Sequence, residues 1–305
     1  MKKLYDCHEI QKIYSPAVTF ENNELHLLKV ALIATHRCTL KCKLCAERTP
    51  YYPSRYHPTF EEMKQQLIAY FSVVDYTMKL EISGGEVFVR NDLEDLFEFL
   101  LQFKKQFGRI RIITNGTLPI SNGLCNILLK FGSQIDVLID CYSSKGQLLS
   151  KNAVKNFEFL QKAGITCYLR KQSEEDLHCN GWVDFGSFSH KKSPEEAIAT
   201  FKKCAIAQKI GGGMRMKNGV LSPCAITQQL ADFGIHPLQP NESCNLFDSS
   251  LSVIQKKQII FNMFSLKQLS SCSYCNGMCD DSERFAPAEQ ISTEDIQKYN
   301  PTLKY

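Results

Sequence analysis

The chain has 305 residues, 44% of them apolar and 22% charged, with a formal net charge of +4 and 14 cysteines. These values suit a globular protein with a substantial core, in one large domain or two smaller ones. The mild charge, seen in doublets such as Lys104-Lys105, Lys191-Lys192 and Lys256-Lys257, offers no stripe for nucleic acid. The polar start Met1-Lys2-Lys3-Leu4-Tyr5-Asp6-Cys7-His8-Glu9 lacks a signal-peptide core, and the best apolar stretch, Leu25 to Ala34, is too short to span a bilayer. The expectation is a cytoplasmic protein with no membrane partner, whose cysteines are reduced thiols and metal ligands.

In chain order, Leu28–Thr35 reads as a strand, followed by a cysteine loop and a helix at about Phe60–Ser72. Met78–Ser83 is a strand, and Asp92–Gln106 a helix with Leu93, Leu96, Phe97, Leu100 and Leu101 on one face. Arg109–Thr114 and Ile135–Asp140 are strands, each followed by a helix, Ile120–Lys130 and Lys151–Lys162. Ile165–Arg170 and Trp182–Phe185 are the expected fifth and sixth strands. Repeated βα units imply a parallel sheet, and right-handed crossovers curl six of them into an α/β partial (β/α)6 barrel. Composition then shifts. Cys204, Cys224, Cys244, Cys272, Cys275 and Cys279 crowd one stretch, around a Gly211-Gly212-Gly213 turn and a hairpin-like Met214–Cys224 turning at Lys217-Asn218-Gly219. The expected division is an N-terminal extension at 1–26, the barrel at 27–195, a small Cys-rich α+β domain at 196–285 and a tail at 286–305.

Cys38, Cys42 and Cys45, at CxxxCxxC spacing just after the first strand, set the chemistry. Three thiolates on a tight loop can hold a [4Fe–4S] cube and leave the fourth iron open, as a catalytic metal site requires. A structural zinc site is the alternative, since Cys-x-x-Cys pairs also hold zinc. The spacing resembles the signature of the radical S-adenosylmethionine (SAM) enzymes. That resemblance implies a partial barrel, SAM bound through its methionine amino and carboxylate groups at the open iron, and a 5′-deoxyadenosyl radical that takes hydrogen from a substrate carbon.

Active sites of parallel barrels lie at the carboxyl ends of the strands. Ser83-Gly84-Gly85-Glu86 follows the second strand, and its glycines permit close backbone approach. It resembles the family's Gly-Gly-Glu motif, which implies a role for Gly84, Gly85 and Glu86 in binding SAM. Thr114-Asn115-Gly116-Thr117 after the third strand is similar to a segment of the subgroup with an auxiliary cluster, so Asn115 joins the cofactor set. Asp140-Cys141-Tyr142-Ser143 ends the fourth strand where SAM's ribose and carboxylate are held in the family, implicating Asp140 and Ser143. Arg170 ends the fifth and is suited to a bidentate carboxylate contact. The family places an aromatic residue before the third cysteine; here it is Leu44.

Cys204, Gly219 and Cys224 match the first half of the auxiliary-cluster domains called SPASM and Twitch, and Cys272-Ser273-Tyr274-Cys275 adds a pair. With no cysteine after Cys279, the single-cluster Twitch form is the better resemblance. It implies one auxiliary iron–sulfur cluster, a [4Fe–4S] cube, on Cys204, Cys224, Cys272 and Cys275, with Cys279 or Cys244 as substitutes. A zinc knuckle uses the same ligands. Cys7, Cys125 and Cys167 read as small core residues, while Cys141 and Cys179 lie nearer strand ends. A substrate radical can lose an electron to an adjacent cluster, an oxidation, or take hydrogen from a thiol such as Cys141 or Cys279, an epimerisation.

The resulting expectation is oxidation or epimerisation at a carbinol carbon of a sugar-like or aminocyclitol small molecule, with flavodoxin or ferredoxin as electron donor. The run Ser271–Gly277 with Ala286-Pro287-Ala288-Glu289-Gln290 resembles relatives in bacterial glycan biosynthesis. Peptide modification is the second reading; only about twenty-five residues precede the first strand, few for a leader-binding domain. A non-catalytic zinc protein is the third. Glu174, Glu175, Asp176 and His178 lie in a loop placed to cover the barrel mouth, and read as solvated.

Overall fold

Alternating aliphatic residues and left-handed asparagines start the sheet. The computed structural model of the chain describes residues 17–173, 181–189, 191–208 and 213–296. Strand β1 (Val18–Glu21) turns through Asn22 and Asn23, at φ 52° and 66°, into the long β2 (Glu24–Thr35), since asparagine tolerates the positive φ of a tight hairpin. Helix α1 (Phe60–Val73) opens with a capping box in which Thr59 and Glu62 satisfy each other's backbone N–H groups. Then follow β3 (Tyr76–Gly84), α2 (Leu93–Leu100), β4 (Phe107–Thr114), α3 (Asn122–Leu129), β5 (Ile135–Ser144) with a short return β6 (Gln147–Leu148), α4 (Ala153–Lys162) and β7 (Thr166–Gln172). Beyond lie α5 (Pro194–Lys203), α6 (Ala205–Gln208), the hairpin β8 (Gly213–Lys217) and β9 (Val220–Ser222), α7 (Ala225–Asp232), β10 (Cys244–Asn245) and α8 (Val253–Met263).

The parallel strands run β8-β2-β3-β4-β5-β7 across one open sheet, with β9 and β10 added antiparallel beyond β8. This is a partial barrel of six parallel strands, as expected, but the sixth is not Trp182–Phe185. Gly181 and Gly186, at φ 102° and 89°, bracket that run, and Trp182 makes only an isolated bridge with Phe285. The sixth strand is β8, on the opposite edge, where Lys29–Leu32 pairs with Gly213–Met216. The expected turn of this hairpin is present, with Asn218 and Gly219 at φ 51° and 71°. Gly211, Gly212, Cys7, Cys179, Glu174, Glu175, Asp176 and His178 lie outside the described residues.

Strand alternation gives the sheet two unlike faces. Val30, Leu32, Leu80, Ile82, Ile110 and Ile112 pack with the helices in the main core. The concave face is charged. Glu81 takes Lys29 at 2.8 Å and Lys79 at 2.9 Å. Burial pushes the Glu81 carboxyl up, but the two lysines outweigh it and hold it at about 2. Asp136, fully buried, accepts Arg111 at 2.5 and 2.8 Å and Arg109 at 3.2 Å. Among the described residues no helix is long and apolar enough to cross a membrane.

Removing one member of a buried ion pair leaves its partner's charge uncompensated, which costs far more than the pair contributes. Asp136→Asn strands Arg111 in this way, and is expected to destabilise the chain by about 3–5 kcal/mol, read as a lowered denaturant midpoint against Arg109→Gln, which removes only a half-exposed partner.

Candidate active site

The cysteine loop is fixed by backbone docking before any cysteine is reached. Gly85 N–H donates to Thr35 O at 2.7 Å and Glu86 N–H to Arg37 O at 2.9 Å. A Cβ on Gly84 would meet Thr35 O at 2.2 Å, one on Gly85 would meet Arg37 O at 2.2 Å, and Gly84 sits at φ +129°. The glycines therefore permit close approach to the exit of β2. Glu86 is fully buried and its carboxylate accepts from Phe88 N, Thr114 Oγ1 and Asn115 N at 3.0, 2.8 and 2.7 Å. Asn115 in turn donates to Thr39 Oγ1 at 3.1 Å and to Cys38 Sγ at 3.5 Å. Arg90 closes the loop's return, donating to Ala34 O and Pro58 O at 3.0 and 2.9 Å.

All three thiols of the triad carry a donor or a hydroxyl neighbour: Leu40 N and Asn115 Nδ2 on Cys38, Gln290 Nε2 on Cys42 at 3.3 Å, and Thr49 Oγ1 on Cys45 at 3.6 Å. Burial pushes the three thiols up, Cys38 to about 11, and the neighbouring thiols on each loop push the same way for Cys38 and Cys42. Thiolates are stable in such a place once a metal cation takes their charge.

A second set of thiols is gathered behind the first. Cys204 ends α5, Cys224 caps α7, and Cys272 and Cys275 flank a 3-10 turn at Ser270–Tyr274. All four line one cavity of about 380 Å³. Burial pushes Cys224 up to about 11 and Cys272 to about 12, and each feels the charge of Cys204. Met278 N donates to Cys204 Sγ at 3.4 Å and Gly277 N to Cys275 Sγ at 3.2 Å. A single zinc ion needs its sulfurs within about 2.3 Å of one centre, and among the described residues no three His, Cys, Asp or Glu side chains converge so. The ligands of a cube sit at separate irons.

Between the two sets lies a cavity of about 430 Å³, walled by Leu44 and Cys45 on one side and by Phe185, Phe188, Tyr274 and Asn276 on the other. Phe185 also borders the cavity of the four cysteines. Arg48, buried and left-handed at φ 52°, lies across the gap: it donates to Gln229 Oε1 at 3.2 Å and Gly186 O at 2.5 Å, and stacks on Phe188 with 4.0 Å to the ring centroid. Gln229 also donates to Ala46 O at 2.7 Å, and Arg215 of β8 forks onto Glu47. The helix that begins at Cys224 is thus bolted to the loop that carries Cys45.

The remaining sequence-chosen residues divide. Asp140 and Arg170 come together on the concave face, but as a bidentate pair, with Gln172 at 2.9 Å and Tyr142 at 3.2 Å completing the Asp140 carboxylate. Arg170 is thus paired with Asp140, with its side chain one quarter exposed. Cys141 follows Val137 and Ile139 onto the helix face, where it packs against the core, and Ser143 lies at the end of β5, paired with Leu148 of β6. Cys279 lines a neighbouring cavity of about 430 Å³ with Lys203 and Asp281, one that shares Asp184 and Asn276 with the cavity above, and Cys244 lies in the main hydrophobic core. Cys125 and Cys167 are core residues, as read. Several positions escaped sequence reasoning. Ser150 ties Asn115 O, Asp140 O and Tyr142 N together at 2.5, 3.1 and 2.8 Å, and Arg48 and Gln290 reach their partners across 138 and 248 positions.

The family model of the radical SAM superfamily matches residues 32–170. The matched stretch, under half of the chain, is similar to the radical SAM superfamily. The 7,8-dihydro-6-hydroxymethylpterin dimethyltransferase of Methanocaldococcus jannaschii is 30% identical over 82 residues, 27% of this chain and 16% of that protein. The antilisterial bacteriocin subtilosin biosynthesis protein AlbA of Bacillus subtilis is 32% identical over 85 residues, 28% of this chain and 17% of that protein. The matched stretch spans about a sixth of the length of these curated relatives. The crystal structure of BtrN in complex with AdoMet and 2-DOIA shares the fold, with TM-score 0.51 at 12% identity over 85% of this chain and 98% of that one. The three thiols, with Cys42 buried and N–H donors on Cys38 and Cys42, are a donor set that fits a [4Fe–4S] cluster.

Burial pushes the Glu86 carboxyl up to about 6, against an ordinary 4.5, although its three hydrogen-bond donors pull the other way. The folded chain then holds a proton that the unfolded chain has lost. Stability should fall as pH rises from about 4.5 to 6 and level off above, by about 2 kcal/mol from this group. In Glu86→Gln that pH-dependent loss is expected to disappear, while the amide nitrogen, set against a backbone or hydroxyl donor, lowers stability by about 1–3 kcal/mol. Denaturant midpoints of the cluster-free chain across this range check both.

Proposed function

We propose that this chain is a radical SAM enzyme with two [4Fe–4S] clusters, one on Cys38, Cys42 and Cys45 and one on Cys204, Cys224, Cys272 and Cys275, which oxidises or epimerises a carbinol carbon of a sugar-like or aminocyclitol substrate. The observation that carries the reading is two separate cysteine sets bordering adjoining cavities, Cys45 lining one and the four C-terminal cysteines the other, with Phe185 in the wall of both. Cys38, Cys42 and Cys45 would hold the cluster that would supply the electron for SAM cleavage, and Cys204, Cys224, Cys272 and Cys275 would hold a second, fully ligated one that would serve as an electron acceptor.

The chain's own residues do the rest. Gly84, Gly85, Glu86 and Asn115 hold the cysteine loop. Phe185 and Phe188 give the cavity an apolar wall. Asp184, Ser187, Ser189 and Asn276 line it with groups able to hydrogen-bond hydroxyls, which supports a polyhydroxylated ligand. With Cys141 packed against the core, oxidation is favoured over epimerisation by that thiol. Flavodoxin or ferredoxin is the fitting donor of the first electron, in a cytoplasmic setting. Peptide modification is the second reading, favoured by the likeness to the subtilosin biosynthesis protein.

Iron and sulfide per chain after anaerobic reconstitution test the two sites. About eight irons are expected, falling to about four in Cys38→Ala/Cys42→Ala/Cys45→Ala and to about four in Cys204→Ala/Cys224→Ala/Cys272→Ala/Cys275→Ala. Only the first variant should lose reductive SAM cleavage. SAM consumption stimulated by no sugar phosphate, nucleotide sugar or aminocyclitol, but by a peptide, would replace the first reading with the second.

A further inference from the structure

The segment from Ala288 to Thr293 lies across the first cysteine loop as a strap. Lys43 N donates to Glu289 O and Ile291 N to Lys41 O, both at 2.8 Å, and Cys42 and Gln290 form an antiparallel bridge. Lys41 Nζ reaches Thr293 Oγ1 at 2.8 Å. At the centre of the strap the Gln290 side chain turns inward. Its Oε1 accepts from Lys41 N at 2.8 Å, and its Nε2 donates to Ala288 O at 2.7 Å and to Cys42 Sγ at 3.3 Å. The amide cannot be reversed: flipped, it would set NH2 against the Lys41 N–H and its oxygen against Ala288 O. The donor therefore faces the sulfur by necessity of its other two bonds.

Cys42 is buried, and the Gln290 contact is the shortest N–H···S bond described for the triad; Leu40 N and Asn115 Nδ2 stand 3.5 Å from Cys38. Hydrogen bonds to cluster sulfurs and the exclusion of solvent set the reduction potential of such a centre. A donor withdraws electron density from the thiolate and so favours the reduced cluster, with its extra negative charge.

On the reading that Cys38, Cys42 and Cys45 hold the first cluster, we propose that Gln290 is a positioning residue for that centre, delivered by the strap, which raises the cluster's reduction potential through its N–H···S bond to Cys42. The role is electronic, and the strap's other bonds serve to aim the amide.

The test is an EPR-monitored redox titration of the reconstituted full-length protein, following the signal that disappears in Cys38→Ala/Cys42→Ala/Cys45→Ala. Gln290→Leu removes the donor at similar volume, Gln290→Glu replaces it with a carboxylate, and Thr293→Ala cuts a strap bond that does not touch sulfur. The midpoint should move negative in Gln290→Leu and further negative in Gln290→Glu, with iron and sulfide content retained, and stay at the wild-type value in Thr293→Ala. Unmoved midpoints in both Gln290 variants, an equal shift in Thr293→Ala, or loss of iron from both Gln290 variants would each overturn the electronic role. A wild-type chain that binds no iron at the triad would overturn the cluster assignment itself, and is told apart by the iron content alone.

Discussion

The close packing of one backbone segment on another governs the whole site. Where β3 ends, Gly84 and Gly85 press against the peptides that leave β2, at a separation no side chain could share. This contact has no slack, so the cysteine loop emerges at a fixed height and angle. From there a line of hydrogen bonds runs from Glu86 to Asn115 and on to Cys38, while Ser150 joins the same Asn115 to the end of β5. Three strand ends are thereby held to one another by groups that exclude water. A backbone fixed in this way costs little further reorganisation when a ligand arrives.

Charge is handled on the same principle. The concave face of the sheet carries lysines, arginines and carboxylates in pairs, Lys29 and Lys79 with Glu81, Arg111 with Asp136 and Arg170 with Asp140. His36, at the end of β2, is the neutral member of this company: burial, then Arg215 and Lys217, push its imidazole down to about 2, and among the described residues its Nδ1 has no hydrogen-bond partner. Arg48 stands apart because its guanidinium lies between two groups of thiols, feeling Cys275, Asp184 and Cys45 while burial works against its charge. A guanidinium stays protonated in such a setting, and it can offset negative charge arriving from either side.

Much of the fold was legible because its signals are local. The helix at 60–73 carries its capping box and its apolar face in a single stretch, and the parallel strands are short β-branched runs flanked by glycine and polar turns. The cysteine triad stands in the sequence for the same reason, its three thiols lying within eight residues. The four C-terminal cysteines were legible by spacing, though what gathers them is the packing of α5, α7 and the 3-10 turn. The misreadings share a physical cause. Cys141 was placed at the site because it ends a strand, yet a period of two puts it opposite Asp140 and Tyr142. Trp182–Phe185 has the composition of a strand but is bracketed by two glycines at positive φ. Gln290 meets Cys42 across 248 positions, and no periodicity or spacing encodes a contact of that range.

The pairing of β8 with β2 has a consequence for how this protein comes into being. The first long strand of the sheet waits for a partner that lies more than 180 residues further along the chain, at Gly213–Met216. Until that segment has been synthesised and has found its place, the β2 edge carries unpaired N–H and C=O groups, the kind of edge that recruits other chains. Closing so long a loop is slow compared with the local βα pairings. Ribosomal emergence would therefore present a nearly finished sheet with one side open, and the cysteine-rich second half acts on the first as its late-arriving edge cover before it acts as anything else.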